Sequence, residues 1–170
     1  WDFGLGVNLG GVVNGITCFL PQMLAHGRGG QIVTTSSLAA CVRMPSNFAI
    51  YAAAKAAVLN LSENLRADLA QDNIGVSVLL PGFVRSNIHE AAMNRPAHLR
   101  AGSGFSASEA SLLERPPGED WMDPDHVGEM VAEGILADAP YIVTHGVFAN
   151  QMRARFDALM AAVPPSDFQF

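Results

Sequence analysis

Charge is scarce in this chain, and so are the cues that would mark a secreted, membrane-spanning or nucleic-acid-binding protein. Only 15% of the 170 residues are Asp, Glu, Lys or Arg, and the net charge is −6. No basic run occurs, which argues against nucleic acid as a partner. The two cysteines, Cys18 and Cys41, lack metal-ligand spacing. They read as buried thiols rather than a disulfide, which suits a reducing cytoplasm. No secretory signal is visible, and the apolar runs around Val12 to Leu20 are too short and Gly-rich for a membrane span. What is present is a 49% apolar composition, enough to exclude a disordered chain and to build one domain with a real core.

Two further absences concern the beginning of the chain. Gly4-Leu5-Gly6 has no strand before it, and the third glycine of G-x-G-x-x-G is misplaced, so it is not a dinucleotide loop. Close helix–helix packing accounts better for Gly4, Gly6, Gly10, Gly11 and Gly15. The sequence also opens at Trp1, without an initiator methionine and inside a helical pattern. A preceding portion is therefore expected.

The stretch from Gln31 to Lys55 organises the rest. A short β-branched strand, Gln31 to Thr35, ends in Ser36-Ser37. A loop from Leu38 to Ile50, with Pro45 and Asn47, leads to Tyr51-Ala52-Ala53-Ala54-Lys55 at the start of a helix. Tyr51 and Lys55 are four apart, so their side chains share one helix face. A unit positive charge roughly 4 Å from a phenol, at an effective dielectric near 20, favours phenolate by up to about 4 kcal/mol. The pair reads as proton-transfer machinery, with a strand-end serine to orient a substrate oxygen.

Around it the chain alternates. Trp1 to His26 is a helix whose stripe of Val7, Val12, Ile16, Phe19, Leu20, Met23 and Leu24 is broad enough to be buried. Glycines then stop it, with His26 and Arg28 suiting its C-terminal dipole. The tyrosine helix runs from about Phe48 to Gln71, with Val58, Leu61, Leu65 and Leu69 facing the core. Val76 to Leu80 is the next buried strand, followed by Pro81-Gly82-Phe83-Val84-Arg85-Ser86. The region 87–121 mixes Gly, Ser, Pro and charge without strong period, as a binding loop or lid does. His89 and His98 lie there without metal-ligand spacing and read as exposed lid histidines. Asp123-Pro124-Asp125 caps a helix through Ala137. Tyr141 to Thr144 is the last strand, and Phe148 to Val163 an amphipathic helix. This order predicts one α/β domain over 1–170 with a doubly wound parallel sheet.

Tyr-x-x-x-Lys alone is a weak signal. Ser36-Ser37 at a strand end upstream, Asn8 in a preceding helix, and the Pro81 to Ser86 loop after the next strand make it specific. Together these residues resemble the short-chain dehydrogenase/reductase family. The resemblance implies the C-terminal part of a Rossmann-like, three-layer α/β/α domain whose N-terminal strands precede this chain. Without those strands the first strand's outer edge would be uncovered.

The resemblance also implies a mechanism. It makes Tyr51 the general acid/base, Lys55 its electrostatic partner and ribose ligand, Ser37 the substrate-orienting serine with Ser36 as the alternative, and Asn8 a support for a water relay. Pro81, Gly82, Val84 and Ser86 would join Tyr51 and Lys55 in holding NAD or NADP, NAD being favoured. Ala54 and Ser86 depart from the serine and threonine common in the family, but serine keeps the hydroxyl. The implied reaction moves a hydride between nicotinamide and a secondary alcohol or ketone in a cytoplasmic homodimer or homotetramer. Val7-Asn8-Leu9, Gly11 to Gly15, Ile32-Val33-Thr34 and Ser86-Asn87-Ile88 with Arg95-Pro96 further resemble bacterial lignin-model alcohol dehydrogenases, which oxidise a benzylic alcohol. Two alternatives remain: a truncated, non-catalytic subunit acting only in association, and a sugar-nucleotide epimerase, which would need a larger substrate domain.

Overall fold

A computed structural model describes residues 1–44, 48–91, 95–100, 118 and 121–165. Helix α1 spans Asp2–His26 and ends at Gly27, whose φ of 63° lets its N–H turn back to Leu24. Strand β1 is Gly30–Thr35, helix α2 Ala49–Asp68 and strand β2 Ile74–Leu80. Helix α3, Pro124–Leu136, starts at Asp123, whose carboxylate accepts the Asp125 N–H at 2.9 Å. Strand β3, Tyr141–Val143, and helix α4, Ala149–Ala161, complete the order.

The three strands form one parallel sheet in the order β1-β2-β3, with Gly30 beside Ile74 and Val78 beside Tyr141. The central strand β2 is buried on both faces, which is why it reads as a continuous apolar run rather than an alternation. On one face Ile74 and Val76 meet Leu65 and Leu69 of the α2 region and Leu20 and Met23 of α1. Further along, Val78 and Leu80 meet Leu38, Leu59 and, from the C-terminal region, Phe148 and Met152. On the other face Leu79 packs with Val127, Met130 and Val131 of α3. Helices therefore cover both sides of a parallel sheet, the expected doubly wound arrangement.

An arginine locks the layers together at the end of the sheet remote from the strand tips. Arg66 of α2 donates to the Val76 carbonyl and grips the Asp138 carboxylate and carbonyl in the turn before β3, all at 2.8–2.9 Å. The Arg66 hydrogen bond holds the Asp138 carboxyl below its usual range.

Four expectations need correction. No residue of α1 is buried among the described residues, and Val7, Phe19 and Leu24 of its apolar stripe are exposed. Its contacts run along one side, through Leu20 and Met23 against the sheet and through Gly4 against Ile50 of α2, which leaves the opposite side bare. Taken whole, α1 is also long and apolar enough to cross a membrane, with mean hydropathy 1.5, where its separate apolar runs are too short. Cys18, on that bare helix, is exposed, whereas Cys41 is buried. Of the α1 glycines, Gly4 alone makes a close approach to another helix: a Cβ there would stand 2.5 Å from Cγ2 of Ile50. Residues 45–47 of the connection after β1, and 92–94, 101–117 and 119–120 of the expected lid, lie outside the described residues.

Candidate active site

The candidate site is assembled at the carboxyl ends of the strands, where open α/β sheets leave a ligand crevice. Tyr51 lies in the first turn of α2 and is half-buried, its ring edge-on to Phe48 at 6.5 Å. One turn on, the Lys55 ammonium stands 5.7 Å from the centre of the Tyr51 ring. It donates at 2.9 Å to the carbonyl of Thr35, the last residue of β1. Burial lowers the Lys55 pKa below that of an ordinary lysine, as desolvation of an ammonium must. The sequence pair is thus a spatial pair, anchored to the strand end. Among the described residues the Tyr51 hydroxyl makes no hydrogen bond.

The two serines take different places. Ser36 is 1% exposed, and its hydroxyl donates at 2.7 Å to the Lys55 carbonyl. Its proton is spent on joining β1 to α2. Ser37 is half-buried and begins the helical turn Leu38–Ala40, its oxygen accepting the Ala39 N–H at 3.1 Å. As acceptor in that bond it keeps its own O–H for another partner. The geometry favours Ser37 over Ser36 as a group that can meet a ligand.

Asn8 lies within a π-helical turn, Gly6–Gly10, and its amide donates to the Gly4 carbonyl at 2.9 Å. Such turns interrupt the regular backbone ladder and are frequent at functional sites. Because Gly4 carries no side chain, this part of α1 closes onto Ile50, the neighbour of Tyr51. The π turn is absent from the sequence reading; the glycines flanking Asn8 were its only trace.

The Pro81 to Ser86 loop leaves β2 along the same edge. The Pro81 carbonyl accepts Leu38 N–H at 3.0 Å, and Gly82 N–H donates to the buried Thr144 hydroxyl at 3.0 Å. Val84 forms a parallel bridge with Met122: Met122 N–H reaches the Phe83 carbonyl and Arg85 N–H the Met122 carbonyl. In a parallel bridge those bonds belong to the residues flanking Val84. Its own N–H and C=O point the other way, and among the described residues they have no partner. Arg85 pairs with Asp123, and Ser86 Oγ accepts Ile88 N–H at 3.3 Å. Neither Thr144 nor Met122 was marked by the sequence as part of this edge, although the position of Thr144 at a strand tip was a usable signal.

Among the described residues, no cluster of three or more His, Cys, Asp or Glu could hold a metal. An open cavity of about 490 Å³ lies on another flank of α2, lined by Ala40, Arg43, Phe48, Ala52, Ala56 and Arg155. Neither Tyr51 nor Lys55 lines it, so it is separate from that pair.

The short chain dehydrogenase family pattern matches residues 1–96. The C alpha-dehydrogenase of Sphingobium sp. is 38% identical over 169 residues, covering 98% of this chain and 54% of that protein. Dehydrogenase/reductase SDR family member 6 of Rattus norvegicus is 37% identical over 124 residues, covering 66% of this chain and 50% of that protein. Among solved structures, a short chain dehydrogenase/reductase of Burkholderia phymatum in complex with NAD superimposes with TM-score 0.87 at 31% identity, over all of this chain and 62% of that one. The apo form of LigD from Sphingobium sp. gives TM-score 0.71 at 30% identity, covering 97% of this chain and 55% of that one. The chain spans about half the length of the curated relatives it matches. With this fold and these relatives, the chain belongs to the short-chain dehydrogenase family of oxidoreductases, near the Cα-dehydrogenases.

Proposed function

We propose that the complete protein is an NAD(P)-dependent oxidoreductase that interconverts a secondary alcohol and its ketone. The observation that carries this reading is the Tyr51–Lys55 pair held against the end of β1. A nicotinamide cofactor, when bound, supplies the hydride donor or acceptor. The chain's own residues move the proton. Tyr51, free of other hydrogen bonds, takes it from the alcohol or returns it to the ketone oxygen as general base or acid. Lys55 sets a positive charge beside the Tyr51 ring, and its tether to Thr35 fixes where that charge sits. Ser37 donates its free O–H to the same substrate oxygen. Asn8, beside the start of α2, supports the passage of the proton toward solvent.

The residues present fit a nicotinamide. The unpartnered N–H and C=O of Val84 offer one donor and one acceptor side by side, the complement of a carboxamide. Lys55 and Tyr51 would hold the ribose of such a cofactor, with Pro81, Gly82 and Ser86 shaping the turn. NAD is favoured over NADP, in line with the Burkholderia relative in complex with NAD. A benzylic alcohol is the favoured substrate. The Cα-dehydrogenase relative supports this, as do the clustered rings of Phe83, Trp121 and Phe148 beyond the turn. We place the substrate cover in 87–121, and the working form in a cytoplasmic homo-oligomer.

The test is Tyr51→Phe in the complete protein. Turnover should fall by about 10²–10⁴-fold, the range for loss of a general acid/base. NADH should still bind, as read by nicotinamide fluorescence. A variant retaining more than a tenth of wild-type turnover refutes the role of Tyr51.

A further inference from the structure

Beyond the Pro81–Gly82 turn, the tips of β2 and β3 build a feature that this proton transfer does not use. Gly82 N–H donates to Thr144 Oγ1 at 3.0 Å, and that oxygen lies 2.6 Å from Nδ1 of His145. The Thr144 oxygen thus already accepts one proton inside a buried setting. If Nδ1 also carried a proton, the threonine's own O–H would be left buried without an acceptor, which is costly. The consistent arrangement runs Gly82 N–H to Thr144 O–H to a bare Nδ1. It puts the imidazole proton on Nε2.

The ring is held in place as well as in tautomer. A Cβ on residue 82 would come within 2.7 Å of the His145 ring, so the glycine permits the imidazole to lie directly on the turn. The ring is only partly buried, and among the described residues nothing receives the Nε2 proton. Beside it, Phe83 packs 5.4 Å from Trp121 and 6.0 Å from Phe148, while remaining 51% exposed. A fixed N–H donor therefore stands next to an aromatic ledge at the ligand end of the sheet.

We propose that His145 is a specificity-determining residue: Nε2–H donates to a second oxygen of the substrate, one that takes no part in the redox step. The planar apolar body of that substrate lies on Phe83, Trp121 and Phe148. The inference rests on the oxidoreductase reading and adds to it which ketones or alcohols are preferred.

The test compares three ketones reduced by NADH with the complete protein: acetophenone, its para-methoxy derivative and its 2-hydroxy derivative. Wild type should show a KM for at least one oxygenated ketone about tenfold below that for acetophenone, the size of one hydrogen bond's contribution. His145→Asn keeps an acceptor where Nδ1 stands but lacks the distal donor. It should erase the preference, with kcat and the KM for acetophenone within twofold of wild type. His145→Gln, whose amide reaches the position of Nε2, should recover part of the preference. A merely structural role would instead raise all three KM values and the NADH dissociation constant together. That result, a preference surviving in His145→Asn, or no preference in wild type overturns the proposal. Failure of wild type to reduce any of the three refutes the function reading itself.

Discussion

The separation of the two serines can be tested through stability and turnover at once. Ser36→Ala removes a buried hydroxyl whose proton goes to the Lys55 carbonyl at 2.7 Å. That carbonyl sits inside α2 and retains its helical partner, so no acceptor is wholly orphaned. The expected loss is that of one net hydrogen bond plus an atom-sized void, about 1 to 1.5 kcal/mol. Ser37→Ala removes an acceptor of the Ala39 N–H in a half-exposed turn. Its stability cost is about 0.5 to 1 kcal/mol, in the lower range of cap losses. Turnover should order them the other way. Under the proposed mechanism Ser37→Ala deletes a donor to the reacting oxygen and should lower kcat by about 10²-fold or more, whereas Ser36→Ala should lower it by less than about tenfold. Urea midpoints at constant m-value and NAD-linked turnover of the complete protein provide the two readings. The assignment fails if Ser36→Ala loses two orders of magnitude in kcat at unchanged stability while Ser37→Ala stays active.

Two other perturbations bear on the scaffold. Gly4→Ala would push a methyl to 2.5 Å from Ile50 Cγ2. It should destabilise by about 1 to 3 kcal/mol, as overpacking does, and disturb the Gly4 carbonyl that Asn8 holds; an unchanged thermal midpoint would contradict the packing. The Arg66–Asp138 pair has a defined pH signature. Its carboxyl is held below the ordinary value of 3.8, so the pair's contribution is present above about pH 4 and is lost as pH falls through the folded-state pKa. Arg66→Met should flatten the acid limb of stability measured by urea unfolding, and an unaltered limb would refute the linkage.

Local chemistry made much of this molecule readable from its letters. Ile32-Val33-Thr34 and Val76 to Leu80 are short, apolar and glycine-bounded, and both are strands. Asp123-Pro124 starts a helix because its side chain and missing N–H serve the first turn whatever lies around it. Tyr51 and Lys55 met because four-residue spacing on a helix is sufficient to bring them together. What stayed hidden depends on distant partners. The stripe on α1 is apolar enough for burial, but apolarity does not name the surface that will cover it. The division of labour between Ser36 and Ser37 turns on which one faces the Lys55 carbonyl, a matter of tertiary approach. The Val84–Met122 bridge joins segments 38 residues apart and leaves no local pattern. Of the expected lid, 92–94, 101–117 and 119–120 lie outside the described residues.

The junction of β1 with α2 has a wider consequence. Thr35 and Ser36, adjacent at the strand's end, hold a single helix residue by both its ammonium and its main-chain oxygen. Strand tip and helix start must therefore travel as one rigid piece. Surfaces beyond the Pro81–Gly82 turn are fastened to other parts of the sheet and can be reshaped for new molecules without detuning that piece.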